Sequence, residues 1–126
     1  GRIWVKVTVE GAKPFDAVLD TGTVGTLIPV EVGKQLSTLG QKTLTIQTKG
    51  KRGAVIQTPL PNLKVGNAEL RKVTAVFLSP DSPTEYDPKF AVLGRNFLRY
   101  FRTTISYTRQ KIVLVPLSAA EVGAEQ

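Results

Sequence analysis

Histidine, cysteine and methionine are all absent from the 126 residues of this sequence. Without histidine and cysteine, the chain cannot form a Ser-His-Asp triad, a cysteine nucleophile, a zinc site of the usual His/Cys type or a disulfide. Any catalysis must therefore come from carboxylates, lysines, hydroxyl groups or the backbone, and no metal or other cofactor is predicted. Only ten residues are Asp or Glu, so each carboxylate in a distinctive context is a candidate catalytic group.

Long apolar runs are missing as well. The uncharged apolar stretches are far shorter than the about 20 residues that a membrane-spanning helix needs, and nothing resembles a signal peptide. Because the chain lacks Met even at position 1, we interpret it as a fragment of a longer protein. Its localisation therefore stays open, including export or a membrane anchor through flanking segments.

Acidic residues are outnumbered by basic ones, with 17 Lys and Arg giving a net charge of +7. Such a charge permits binding to nucleic acid or to another anionic surface. However, the basic residues are spread along the chain, and no motif combines aromatic and basic residues as RNA-recognition modules do. Specific nucleic-acid binding is therefore not predicted, and the charge indicates a basic, soluble face.

The residues that are present follow a strand-and-turn pattern. Residues 3–9 alternate aliphatic positions with Trp, Lys and Thr, the two-residue period of a half-buried strand. Helical spacing predicts one short helix near the C-terminus in GRNFLRYF, and a weaker helical turn in VEVGKQL. Many short strands with little helix predict an all-β barrel or sandwich. Residues 1–126 are predicted to form one domain, with a core over 3–117 and a flexible tail over 118–126. Further strands are predicted in FDAVLD, TLTIQT, AVIQT, both halves of NLKVGNAELRKVTAVFL, and IVLVPL.

The most informative stretch is AVLDTGTVGTLIP, residues 17–29. Two aliphatic residues precede Asp20 and would bury the strand that presents it, and another apolar strand begins at Thr26. Because Asp and Gly are common in turns, Asp-Thr-Gly alone is a weak signal. Downstream, AVLGRNFL repeats the pattern of an aliphatic pair followed by glycine, here before a helix. Asp20 is therefore either a turn residue or a catalytic acid.

Together with the glycine-containing hairpin KGKRG and the segment LKVG, these motifs resemble those of the retropepsin-like aspartic proteases. This single-domain family includes retroviral proteases and bacterial relatives, and a bacterial member is expected. The resemblance covers nearly the whole chain and implies a closed β-barrel with a flap hairpin. It also implies hydrolysis of peptide bonds in a peptide or protein substrate, by a water activated between two Asp20 carboxylates. Because the chain has one Asp-Thr-Gly, the second aspartate is expected from a second copy in a homodimer.

The resemblance also implies roles for the residues around Asp20. The Thr21 hydroxyl would bond across the dimer axis, and Gly22 would permit the tight turn and donate its N–H to the aspartate. The flap is expected to contact substrate through Gly50, Lys51, Arg52 and Gly53. Support of the active loop is expected from six further residues: Thr23, Thr26, Val92, Leu93, Gly94 and Arg95.

Two positions depart from the family pattern. Position 24 is Val where retroviral members carry an acid, and that acid pairs with the arginine that Arg95 matches. Position 23 is Thr rather than the usual Ala. The flap tip is also strongly basic, with Lys49 beside Lys51 and Arg52. This tip is either a solvated hairpin end or a source of preference for acidic substrates.

Two other functions compete with the protease. A catalytically silent binding or dimerisation module could use the same fold, although an intact Asp20-Thr21-Gly22 argues against it. A basic nucleic-acid binder on a small barrel would leave both glycine motifs unexplained.

Overall fold

The computed structural model describes residues 3–36, 41–48, 51–78, 90–106, 108–109 and 111–124. Within these residues the chain is mostly β-strand with short helices, which confirms the predicted all-β class. The helices are α1 (Val30–Gly33), α2 (Arg95–Leu98) and α3 (Ala119–Ala124). The strands are β1 (Ile3–Val7), β2 (Phe15–Leu19), β3 (Thr26–Pro29), β4 (Lys42–Thr48), β5 (Lys51–Val65), β6 (Ala68–Leu78), β7 (Ala91–Leu93), β8 (Phe101–Ser106) and β9 (Lys111–Pro116).

Seven strands form one sheet in the order β1-β2-β7-β3-β6-β5-β4, and β8 pairs separately with β9. The sheet is mixed, because β2 runs parallel to β7 and β3 parallel to β6, whereas β3 and β7 are antiparallel. Just after β1, Thr8 exchanges two backbone hydrogen bonds of 2.9 Å with Lys64 of β5. This bridge holds the continuation of β1 against β5 and curls the sheet into the predicted barrel-like shape. In the described ranges the closure consists of this one bridge rather than a continuous ladder.

The β5–β6 hairpin has the turn predicted at Gly66-Asn67, but β5 is longer than the sequence pattern indicates. It runs through both AVIQT and NLKV as one strand, although Pro59 and Pro61 lie between them. Its ladder with β4 ends at the Lys42–Gln57 pair. Beyond that point, in the described residues, β4 does not flank β5, and prolines are tolerated where a strand lacks a neighbour on one side. The prolines therefore do not break the strand.

The core lies inside the curl of the sheet, and β1 shows how the sequence specifies it. Val5 and Val7 are buried while Trp4 and Lys6 are exposed, as the two-residue alternation predicts. Aliphatic side chains of β1, β2, β3, β5, β6 and β7 pack with Phe97 of α2 into a single cluster. Burial of this apolar surface is the main force that holds the barrel together.

The C-terminal region contains two elements that the sequence did not predict. Strand β8 begins at Phe101, where the helical pattern of GRNFLRYF was expected to continue, and pairs with β9 from Phe101–Pro116 to Ser106–Lys111. Helix α3 begins after Ser118, within the predicted tail. None of the helices in the described part of the chain is long and apolar enough to cross a membrane.

Candidate active site

Asp20 stands at the C-terminal end of β2, where the strand leaves the sheet. The last residue of β2, Leu19, pairs with Leu93 of β7. The Asp20 N–H then donates a hydrogen bond of 3.1 Å to the Leu93 carbonyl, which extends this pairing by one residue. The parallel β2–β7 pair therefore fixes the backbone from which the Asp20 side chain projects, and that side chain is half-buried.

The turn after Asp20 holds both oxygens of its carboxylate. The Gly22 N–H donates to Oδ1 at 2.8 Å, and the Thr23 hydroxyl donates to Oδ2 at 3.1 Å. A backbone hydrogen bond of 3.3 Å from the Thr23 N–H to the Asp20 carbonyl closes the turn. Thr23, one of the two departures from the family pattern, is thus a direct partner of the candidate catalytic group.

The start of α2 packs against this turn at very short range. A Cβ on Gly94 would lie 2.0 Å from the Gly25 carbonyl oxygen and 2.6 Å from that of Thr23. Any side chain here would therefore push the two segments apart. Because Gly94 has none, the Arg95 N–H reaches the Thr23 carbonyl at 2.7 Å. The second glycine motif is in this way joined directly to the loop that carries Asp20.

Behind the turn, Thr26, which was predicted to support the active loop, is hydrogen-bonded to Asn96, which was not predicted as part of the site. The buried Thr26 hydroxyl donates to Asn96 Oδ1 at 2.6 Å, and Asn96 Nδ2 donates to the Thr74 carbonyl at 2.7 Å. The Asn96 N–H also donates to the Val24 carbonyl at 2.9 Å. Asn96 therefore ties the active loop, α2 and β6 together. The only signal for it in the sequence is its place after Gly94-Arg95.

Val24 is the other departure from the family pattern, and it lies beside Arg95 at the edge of the site. The Val24 side chain is 66% exposed, and the Arg95 side chain is exposed as well. No carboxylate of the described residues forms an ion pair with Arg95. Both residues line an open groove of about 870 Å³ that also includes Thr21 of the turn.

The predicted flap corresponds to the β4–β5 hairpin, in which Thr48 pairs with Lys51 and Ile46 with Gly53. Pairing therefore runs closer to the tip than the predicted five-residue connection. Lys49 and Gly50 lie outside the described residues, and Lys51 is described only by its backbone. Arg52 is exposed on the hairpin.

The barrel-like mixed sheet presents an Asp-Thr-Gly turn, and a glycine at the start of a short helix packs against that turn. These are the fold and the candidate site of an aspartic protease. The sequence profile of the family described as "gag-polyprotein putative aspartyl protease" matches residues 5–100. The chain belongs to this aspartyl protease family.

Its fold is similar to the crystal structure of a retropepsin-like aspartic protease from Rickettsia conorii, with a TM-score of 0.67 and 16% sequence identity. That match covers 90% of this chain and 82% of the Rickettsia chain. A comparison with curated proteins gave no significant match. The retropepsin-like fold predicted from the motifs is therefore confirmed.

Proposed function

We propose that the protein is an aspartic endopeptidase that acts as a homodimer, with one Asp20 from each copy in a shared active site. The observation that carries this proposal is the anchoring of both Asp20 carboxylate oxygens, by the Gly22 N–H and the Thr23 hydroxyl. A carboxylate held by its own turn, at the end of a strand, is oriented in advance for work on a substrate. Membership of the aspartyl protease family supports the same conclusion.

The need for a second copy follows from the chemistry. Hydrolysis by carboxylates requires an ionised group that accepts a proton from water and a protonated group that polarises the scissile carbonyl. Two carboxylates held close together share a single proton, because like charges disfavour double ionisation. The chain contains one Asp-Thr-Gly. A twofold axis next to Asp20 would bring two of them together.

In this mechanism the water oxygen bonds to the carbonyl carbon while the ionised Asp20 accepts a water proton. The protonated Asp20 of the other copy donates its proton to the carbonyl oxygen. Collapse of the tetrahedral intermediate breaks the C–N bond, as the now protonated Asp20 donates its proton to the leaving amine. The ionised Asp20 of the other copy accepts a hydroxyl proton from the intermediate as the carbonyl re-forms, which restores the singly protonated dyad. The Thr21 hydroxyl would form a hydrogen bond across the dimer axis. Thr26 and residues 94–96 would keep the turn in place.

The flap would close over the substrate and exclude water from the dyad. Gly50, Lys51, Arg52 and Gly53 would contact the substrate, unless the basic residues Lys51 and Arg52 face only the solvent. Neutralising the basic tip separates these two roles. An unchanged ratio of cleavage rates for acidic and neutral peptides would assign the tip to solvent.

The dyad also dictates the pH dependence. Activity requires one ionised and one protonated carboxyl, so it is expected at acidic to mildly acidic pH and is lost once both carboxyls ionise. The two apparent pKa values that a pH profile reports belong to the pair rather than to either aspartate.

The test is cleavage of a mixed peptide library by purified protein, between about pH 4 and pH 7 to span the dyad titration. Asp20→Asn protein, matched in concentration and oligomeric state, is the control. Cuts made by the native protein and absent from Asp20→Asn would support the proposal and report the specificity. A folded dimer that cuts nothing would refute it in favour of the silent dimerisation module.

A further inference from the structure

We propose that the second copy docks along strand β8, so that the two β8 strands pair across the twofold axis and join both β8–β9 hairpins into one four-stranded antiparallel sheet. This inference rests on the proposed protease function, because it names the surface through which the partner brings its Asp20 to the shared site. It starts from a free strand edge. Within the described ranges, β8 pairs with β9 on one side and has no strand on the other.

The two edges of the β8–β9 hairpin face different parts of the molecule. On the β9 side, residues of β9 line a cavity together with β1 and the β5–β6 turn, so the barrel borders this edge. On the β8 side, Arg102 and Thr103 line the groove that contains Thr21. Since the proposed twofold axis passes next to Asp20, β8 is the strand of the hairpin that lies beside the axis.

The direction of the β8 backbone groups follows from the ladder with β9. The Leu117 N–H donates a hydrogen bond of 2.9 Å to the Tyr100 carbonyl, directly before the ladder begins. In an antiparallel ladder, hydrogen-bonded pairs alternate with pairs that form no hydrogen bond. Every second residue after Tyr100 therefore bonds to β9, and the N–H and C=O groups of Phe101, Thr103 and Ile105 point away from it. These groups form the free edge.

Twofold symmetry restricts how two such edges can pair. When one residue contacts another across the axis, the symmetric contact must form as well. A register that places Thr103 opposite Thr103 of the partner subunit also pairs Phe101 with the partner's Ile105, so every outward group finds a partner. A register centred on Arg102 would set two like charges directly opposite and leave Ile105 out. One centred on Thr104 would leave Phe101 out. The geometry therefore favours the register centred on Thr103.

The side chains of β8 suit a covered edge. Free edges are commonly protected by proline or by unpaired charges, but β8 contains no proline, and Arg102 is its only charged residue. Glu121 matches this charge, with Oε2 at 2.9 Å from Arg102 Nη2. Two threonines opposite each other on adjacent strands stabilise a sheet. A two-stranded ribbon gains stability from further strands, and a second copy offers an edge that is complementary to itself.

The first experiment uses disulfide cross-linking, because the chain has no native cysteine. In the proposed register the two Thr103 Cα atoms would be about 5.5 Å apart, which a disulfide can bridge. The two Thr104 Cα atoms would be diagonal neighbours about 7–8 Å apart, near or beyond that limit. We expect Thr103→Cys to form covalent dimers under mild oxidation. Thr104→Cys and Thr43→Cys, the latter at an exposed position of edge strand β4, are expected to stay largely monomeric on a non-reducing gel.

The second experiment removes a backbone donor. Thr103→Pro deletes an N–H that points to the partner and spares the ladder with β9, and prolines are tolerated at strand edges. Thr103→Val keeps the N–H and the branched shape and is the matched control. By sedimentation, Thr103→Pro should raise the dimer dissociation constant by roughly tenfold or more, because each copy loses a hydrogen bond. Thr103→Val should leave it nearly unchanged.

Three results would overturn the inference. The first is cross-linking of Thr104→Cys or Thr43→Cys as readily as of Thr103→Cys. The second is a Thr103→Pro dimer as tight as the Thr103→Val dimer, which would move the interface to another surface and leave the proposed protease function standing. The third is labelling of the Thr103→Cys thiol that falls when peptide is added but not when protein concentration rises, because the edge would then bind substrate. A β8 dimer of native protein that cuts no peptide would refute the protease and support the interface.

Discussion

Thr26 and Asn96 lie 70 positions apart in the sequence, yet the Thr26 hydroxyl and the Asn96 side-chain oxygen are 2.6 Å apart. This hydrogen bond joins the loop that carries Asp20 to the helix that follows the second glycine motif. Thr26 is buried, so its hydroxyl depends on protein partners rather than on water. The two glycine motifs of the chain are therefore parts of one structural unit.

Removing this hydroxyl should destabilise the fold. Thr26→Val keeps the side-chain shape but leaves Asn96 Oδ1 without its donor, and we expect a loss of about 1–2 kcal/mol in the free energy of unfolding. Chemical denaturation measures it. Thr104→Val makes the same change at an exposed position of β8 and should shift stability by less than about 0.5 kcal/mol. Equal effects of the two variants would contradict the role given to the Thr26 hydroxyl.

Gly94 should not tolerate even a methyl group. A Cβ there would meet the Gly25 carbonyl oxygen at 2.0 Å, and because the neighbour is backbone, it cannot turn away. We expect Gly94→Ala to cost about 3 kcal/mol or more, the upper range for overpacking. In Gly25→Ala the new Cβ has nothing within 4 Å, so it is the matched control. If both variants unfold at the same denaturant concentration, the close approach is not a constraint.

Glu121 should make the stability of the C-terminal helix depend on pH. Hydrogen bonds from the Ser118 backbone and side chain, and the charge of Arg102, lower the pKa of Glu121 below its ordinary value. A carboxylate with a lowered folded-state pKa contributes stability above its unfolded pKa and loses it as the pH falls through the folded value. The stability difference between native protein and Glu121→Gln should therefore be largest near neutral pH and shrink under acidic conditions.

Thermal melts of both proteins across this pH range measure the effect. Glu10→Gln is a suitable control, because the exposed Glu10 carboxylate forms no ion pair with the described residues. A difference between native and Glu121→Gln protein that persists unchanged to low pH would mean that the charge of Glu121 does not stabilise α3.

Much of the fold could be predicted from local patterns, because these patterns report burial. The alternation of Val5 and Val7 with Trp4 and Lys6 predicted β1 correctly. The Gly66-Asn67 turn predicted the β5–β6 hairpin, where Gly66 has φ +58°.

The errors occur where tertiary pairing outweighs local signals. AVIQT and NLKV are predicted as separate strands, but they form the single strand β5, whose prolines lie beyond the end of the β4 ladder. Phe101 fits a helical spacing after Phe97, but pairing with Pro116 draws it into β8, while the two rings still meet at 5.0 Å.

Helix α3 could have been predicted. Ser118 and Glu121 form a capping box, in which the Glu121 N–H donates to the Ser118 hydroxyl and the Ser118 N–H donates to Glu121 Oε1. The Ser-Ala-Ala-Glu spacing is readable in the sequence. The contact of Glu121 with Arg102, in contrast, depends on the β8–β9 pair and has no local signal.

The motifs pointed to Asp20 and to several of its neighbours, among them Thr23, Thr26 and Gly94, but not to Asn96. Asp20, between an apolar strand and a glycine turn, is visible in the sequence. The hydrogen bond between Thr23 and Asp20 is local to the turn. The central place of Asn96 depends on how α2 docks against the turn, which no local pattern encodes.

Dilution should lower the activity per molecule if the site is shared between two copies. Below the dissociation constant of the dimer, the initial rate should fall with the square of protein concentration rather than in proportion to it. Peptide cleavage measured over a dilution series, with sedimentation at the same concentrations, tests this. A constant specific activity through the range in which monomers predominate would refute a shared site.

The most direct test of the central claim is cleavage by mixtures of native and Asp20→Asn protein at constant total concentration, after the subunits have exchanged. If each active site needs Asp20 from both copies, an equal mixture should retain about one quarter of the native rate, because only native–native dimers are active. If each copy instead carries a complete site that works with its own Asp20, the rate should fall in proportion to the native fraction, to about one half. We predict the quadratic result, and a linear decline would contradict a shared site.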